Sequence, residues 1–224
     1  MGQEYNRTVD INSILPSSGI LICKKTADSL DYHSITAPNQ PWGSGIQNIY
    51  TFNHDKAICL QVGGTDGAAN DSANWSFAFP YASANFLTIE TIFTSNSYTP
   101  MKEFCFGCTV RFTTGGYTLG IKWDCALMKW YILTALSTWT EITTGHEKVA
   151  SNYWTKIQID LNPTSGYYNK LILDNKIVDI SAYTLYNSGA SLYPKGDFYV
   201  YITSDAGDKC SFFIDSVILT QRLL

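Results

Sequence analysis

Residues Trp154 to Asp179 read WTKIQIDLNPTSGYYNKLILDNKIVD. In the first half, Ile157, Ile159 and Leu161 alternate with Lys156, Gln158 and Asp160. A period of two puts the aliphatic side chains on one face of a strand and the polar ones on the other. Asn162-Pro163-Thr164-Ser165-Gly166 supplies turn chemistry, with a glycine free to take a positive φ. Tyr167 to Leu173 is predicted as the next strand, Asp174-Asn175 as a tight turn, and Ile177, Val178 and Ile180 as the return. Such a meander has one apolar face and needs a second sheet to cover it.

The same alternation recurs along the chain. Strands are predicted at Ile20 to Cys23, Ala57 to Val62, Trp75 to Phe79, Phe86 to Phe93, Phe104 to Phe112 and Tyr117 to Trp123. Others are predicted at Met128 to Leu133, Trp139 to Ile142, Phe198 to Thr203 and Cys210 to Thr220. Asp28 to Gly45, Asp66 to Asn74 and Tyr183 to Gly196 read as loops. In the last strand the apolar phase is even at Phe212 and Ile214 but odd at Val217 and Leu219, so a β-bulge is expected at Asp215-Ser216. With no helical window, the pattern predicts an all-β, two-sheet antiparallel β-sandwich (jelly roll) with an N-terminal arm. Residues 1–19 form the arm and residues 20–224 one sandwich domain.

Composition narrows the function. Charged residues make up 15% of the 224, well under the roughly 25% of an ordinary domain, while the chain holds 15 Tyr. The surface is therefore built largely from neutral polar and aromatic side chains, which suit contacts with sugars or proteins. The net charge of −4 and the lack of basic runs beyond Lys24-Lys25 argue against nucleic acid. No apolar stretch approaches the ~20 residues of a membrane span. MGQEYNRTVD has neither a basic n-region nor an apolar h-region, so synthesis in the cytoplasm without a cleaved signal is expected.

Cys105-Phe-Gly-Cys108 has a metal-like spacing. Its neighbours Phe104, Phe106, Val110 and Phe112 share the phase of Cys108, which puts Cys105 on the opposite face. The six cysteines are expected as structural thiols. Tyr199 and Tyr201 fall opposite Phe198 and Val200, and Tyr131 falls opposite Trp130 and Ile132. With Trp139 and Trp42 these are the candidate carbohydrate- or partner-binding residues, since aromatic faces stack on sugar rings or anchor interfaces. Burial under a loop or a neighbouring subunit is the alternative.

Three stretches resemble the concanavalin A-like lectin/glucanase superfamily, which includes laminin-G-like and legume-lectin-like jelly rolls. They are AICLQV at Ala57 to Val62 with the strand at Trp75, the meander from Asn152 to Val178, and FFIDSVILT at Phe212 to Thr220. The resemblance implies a fold more than an activity. Catalytic members carry Glu-x-Asp-x-(x)-Glu on one strand, because alternate residues enter one cleft with the carboxylates ~5 Å apart. Here Glu90 is followed by Thr91 and Ile92, and Asp160 is flanked by Gln158 and Asn162. No catalytic residues and no enzyme activity are therefore expected. No cofactor is expected either, apart from the structural calcium that the resemblance implies, with Asp215 as its metal ligand; the alternative is an Asp bonding backbone at a bulge.

The leading expectation is a non-enzymatic structural or attachment protein, most plausibly a virion component such as a capsid decoration or tail-associated protein on a particle surface. Its partners would be protein neighbours in an assembly, including further copies of itself as a homo-oligomer. A stand-alone carbohydrate-binding module is the alternative, with a glycan as partner. A degenerate glycosidase using Glu90 comes third. Nucleic acid and membrane insertion are not expected.

Overall fold

The computed structural model describes residues 20–26, 33–36, 45–47, 57–63, 71–80, 86–143, 149–191, 194–205 and 209–222. The strands in these segments are β1 (Ile20–Thr26), β2 (His33–Thr36), β3 (Gly45–Gln47), β4 (Ala57–Val62), β5 (Ser72–Phe79), β6 (Phe86–Ser95), β7 (Met101–Arg111) and β8 (Gly116–Asp124). They continue as β9 (Lys129–Ala135), β10 (Thr138–Ile142), β11 (Thr155–Asn162), β12 (Tyr167–Leu173), β13 (Lys176–Asp179), β14 (Tyr186–Asn187), β15 (Lys195–Ser204) and β16 (Cys210–Arg222). All pairings are antiparallel, and the described residues include no helix long and apolar enough to cross a membrane.

The strands form two sheets. The first runs β13-β12-β11-β6-β16-β4-β3, with β1 also on β16. The second runs β10-β9-β8-β7-β15-β5-β2, with β14 on β8. The opening meander is thus one end of the first sheet, in the register Ile157↔Leu173 and Leu171↔Val178. Its aliphatic face meets the second sheet. Ile157, Ile159, Leu161, Leu171 and Leu173 join one buried cluster with Phe104, Phe106, Trp130, Phe198 and Val200. Phe93 stacks on Phe212 at 5.3 Å, and Phe104 meets Trp130 edge-on at 5.8 Å. Each such buried ring contributes roughly 1.5–3 kcal/mol through area removed from water.

The expected bulge is present: the register of β16 on β6 shifts between Ile214 and Ser216. The same point is where β16 changes its other partner. Ile214 pairs with Ile58 on β4, and Ser216 pairs with Thr26 on β1. The extra residue lets two successive strands share one edge of β16, which accounts for the phase break in the sequence.

Some boundaries differ from the sequence expectation. Asp28 to Gly45, read as loop, contains β2, and Gly45 opens β3. β14 lies within the loop read at Tyr183 to Gly196. These short pieces carry no apolar alternation of their own. Pairing with a neighbour makes them strands, as His33↔Phe77 does for β2. β1 runs on to Thr26 because Lys24 and Lys25 continue the ladder against Ile218 and Val217. The proposed arm, residues 1–19, lies outside the described residues.

Candidate functional site: the aromatic outer face of the second sheet

Strand alternation builds this face. On β7, Phe104, Phe106 and Cys108 enter the core, so Cys105 and Gly107 point outward. The two thiols of the CxxC spacing therefore lie on opposite faces. On β15, Phe198, Val200 and Ile202 enter the core, leaving Tyr199 and Tyr201 outside and half-buried. Tyr131 on β9 and Trp139 on β10 are outward and half-buried as well. Register then aligns them: Tyr131↔Lys122, Lys122↔Cys105 and Cys105↔Tyr201 form one row across four strands. In the next row Gly120 pairs with Gly107, and Gly107 with Tyr199.

The paired glycines form a floor for two rings. A Cβ on Gly107 would lie 2.0 Å from the Tyr199 ring, and one on Gly120 would lie 2.9 Å from the Trp139 indole. A side chain at either position would displace its ring, so the glycines let Tyr199 and Trp139 lie low on the sheet. Tyr199 and Tyr201 are nearly parallel, at 10° and 6.5 Å between centroids.

A charged network joins the rings. Lys122 Nζ sits 4.8 Å from the Trp139 ring centroid and 5.6 Å from that of Tyr131. Such cation–π contacts hold the ammonium against the ring faces. The same Nζ lies 3.0 Å from Glu103 Oε2, and the side chains of this pair are only 16% and 19% exposed. Tyr201 donates its hydroxyl to Glu103 Oε1 at 3.4 Å. Burial raises the Tyr201 and Tyr199 hydroxyls above the ordinary phenol value, with nearby Cys105 adding to both. Both stay protonated at neutral pH. Burial likewise raises the Cys105 thiol, so it is unreactive beneath Tyr201.

Four of the five predicted ring residues, Tyr199, Tyr201, Tyr131 and Trp139, thus share one face, and Trp42 lies outside the described residues. Asp215 is in the other sheet, fully buried at the bulge. Among the described residues no group of three His, Cys, Asp or Glu side chains comes together to hold a metal. The sequence reading missed Lys122, Glu103, Gly107 and Gly120. Glycines at outward positions in mid-strand were the available signal.

The acids weighed for catalysis lie on the outer face of the first sheet, away from these rings. Glu90 is bound to Lys156 at 2.8 Å. Asp160 accepts from Thr88 at 2.9 Å and from Gln158 at 3.0 Å, and meets Lys170 at 3.2 Å.

No family model matches the chain, and no curated protein matches it. Among solved structures, the fold is similar to the carbohydrate esterase vb_24B_21 from Shiga toxin-encoding bacteriophage phi24B, with a TM-score of 0.56 and 11% identity over 91% of this chain and 99% of that one. The cellulose induced protein Cip1 gives 0.54 and 11% over 90% and 98%. The alginate lyase vAL-1 from Chlorella virus gives 0.53 and 11% over 84% and 91%. The chain therefore shares a two-sheet antiparallel β-sandwich fold with these proteins.

Proposed function

We propose that this chain is a carbohydrate-binding module that receives a glycan on the outer face of its second sheet. The observation that carries the reading is the ring platform: Tyr199, Tyr201, Tyr131 and Trp139 converge on one half-open face beside Lys122 and Glu103. A pyranose has an apolar C–H face and a rim of hydroxyls. Flat rings meet the first, and a carboxylate meets the second. The carbohydrate esterase and alginate lyase among the similar folds are in keeping with sugar recognition on this sandwich. We read the face as one that binds without turnover, because Glu103 is engaged by Lys122 and Tyr201, and Asp124, opposite it in register, is tied to the turn amides of Ala126 and Leu127.

A glycan array followed by calorimetric titration tests the reading. Trp139→Ala is expected to weaken binding at least about tenfold, roughly 1.4 kcal/mol. Wild-type protein that binds no glycan at millimolar concentration would remove it.

Attachment at the surface of a viral particle, in an assembly of copies, is a narrower proposal motivated by the low charge and the tyrosine-rich composition. Immunogold labelling of purified particles checks it, and unlabelled particles would rule it out.

A further inference from the structure

The charge arrangement on the same face bears on which glycans it accepts. Among the described residues three ion pairs lie there: Lys122–Glu103 at 3.0 Å, Lys129–Glu141 at 2.9 Å and Lys195–Asp197 at 3.3 Å. Each matches one cation with one carboxylate. The pair at the rings is the least exposed of the three. We infer that the face selects uncharged sugar chains and turns away glycans that carry carboxylates. This rests on the glycan-binding reading above.

The cation beside the rings and the Tyr201 hydroxyl are already engaged. Lys122 Nζ is bound to Glu103 and held against two ring faces, and the Tyr201 hydroxyl donates to the same carboxylate. The carboxylate of Glu103 keeps acceptor capacity, since each of its oxygens has a further lone pair. A neutral pyranose supplies what is missing: hydroxyl donors for Glu103 and a C–H face for Trp139 and Tyr199. A uronate brings a second carboxylate next to Glu103. In a site this shielded from water, like-charge repulsion is less screened than on an open surface. Pulling Lys122 across to the ligand would leave Glu103 unpaired in a partly buried setting, which is unfavourable in itself.

The test is calorimetric titration of the full chain with neutral hexasaccharides of glucose, xylose and mannose, and with hexamers of galacturonic and mannuronic acid. At least one neutral chain is expected to bind, with the acidic chains at least about tenfold weaker. Glu103→Gln keeps the shape, removes the negative charge and releases Lys122. The variant is expected to narrow or reverse that ratio, with its new binding of acidic chains weakening as salt rises. Wild-type preference for an acidic chain overturns the inference and leaves glycan binding standing. A folded Glu103→Gln protein with an unchanged ratio does the same. Binding of neither class overturns both. If circular dichroism shows that the variant does not fold, the wild-type ratio alone decides.

Discussion

Gly107 and Gly196 are both strand glycines whose missing side chain makes room for a ring, yet the two rings differ in freedom. The space over Gly107 is filled by the outer end of Tyr199, which can swing toward solvent. A Cβ on Gly196 would lie 2.2 Å from the Phe79 ring, which is buried in the core. Gly107→Ala is therefore expected to leave denaturant stability within about 1 kcal/mol while weakening glycan binding several-fold. Gly196→Ala is expected to cost about 1–3 kcal/mol, measured the same way. Glu90 gives a pH prediction. Burial raises its carboxyl above the ordinary 4.5, and Lys156 offsets only part of that. The folded chain then holds this proton more tightly than the unfolded one. The contribution is fully present below the unfolded value and is lost as pH rises through the folded one. The urea midpoint is expected to fall across that window, and to fall less in Glu90→Gln. At this scale the outward tyrosines could be read from local alternation. Gly107 and Gly120 could not be assigned their rings, because Tyr199 comes from a strand distant in the chain, Trp139 comes from a strand not bonded to β8, and their alignment is a matter of register.

Tyr168 on β12 shows what an element adds. β8 pairs with β9 only from Ile121 to Asp124, and with β14 at Tyr117 and Thr118. The fork between β8 and β9 leaves Gly120 and Leu133 unpaired on the sides that face each other, although Gly120 pairs with Gly107 and Leu133 with Trp139 on their other sides. Tyr168 reaches across from the other sheet to fill it. Its hydroxyl accepts from Gly120 N–H at 3.1 Å, and donates to Leu133 C=O at 2.9 Å and, more weakly, toward Gly120 C=O at 3.4 Å. Tyr168→Phe strands those groups inside the core, so a loss of about 1–3 kcal/mol is expected by chemical denaturation. The meander and the β16 bulge were legible because each is written in a single run of residues. The fork and the short strands β2 and β14 were not, since they exist only through partners elsewhere in the chain.

Across the whole molecule the two outer faces differ. Ala57, Cys59 and Phe213 on the first sheet are buried in a small cluster with Trp154 packed on it, whereas the rings of the second sheet are half-open. Alternation gave both sheets an outward set, so sequence alone could not say which was covered. Hydroxyl-radical footprinting with mass spectrometry separates them. Trp139, Tyr131, Tyr199 and Tyr201 are expected to oxidise in the free protein and to be protected by bound glycan, while Trp130 and Phe213 stay unmodified in both states. The tyrosine in the fork has a mechanical consequence too. It rivets the ring-bearing layer to the layer behind it, so a tug applied to that outer face would load the molecule in shear. In an optical trap, the Tyr168→Phe protein is expected to slip between layers at lower force than the parent.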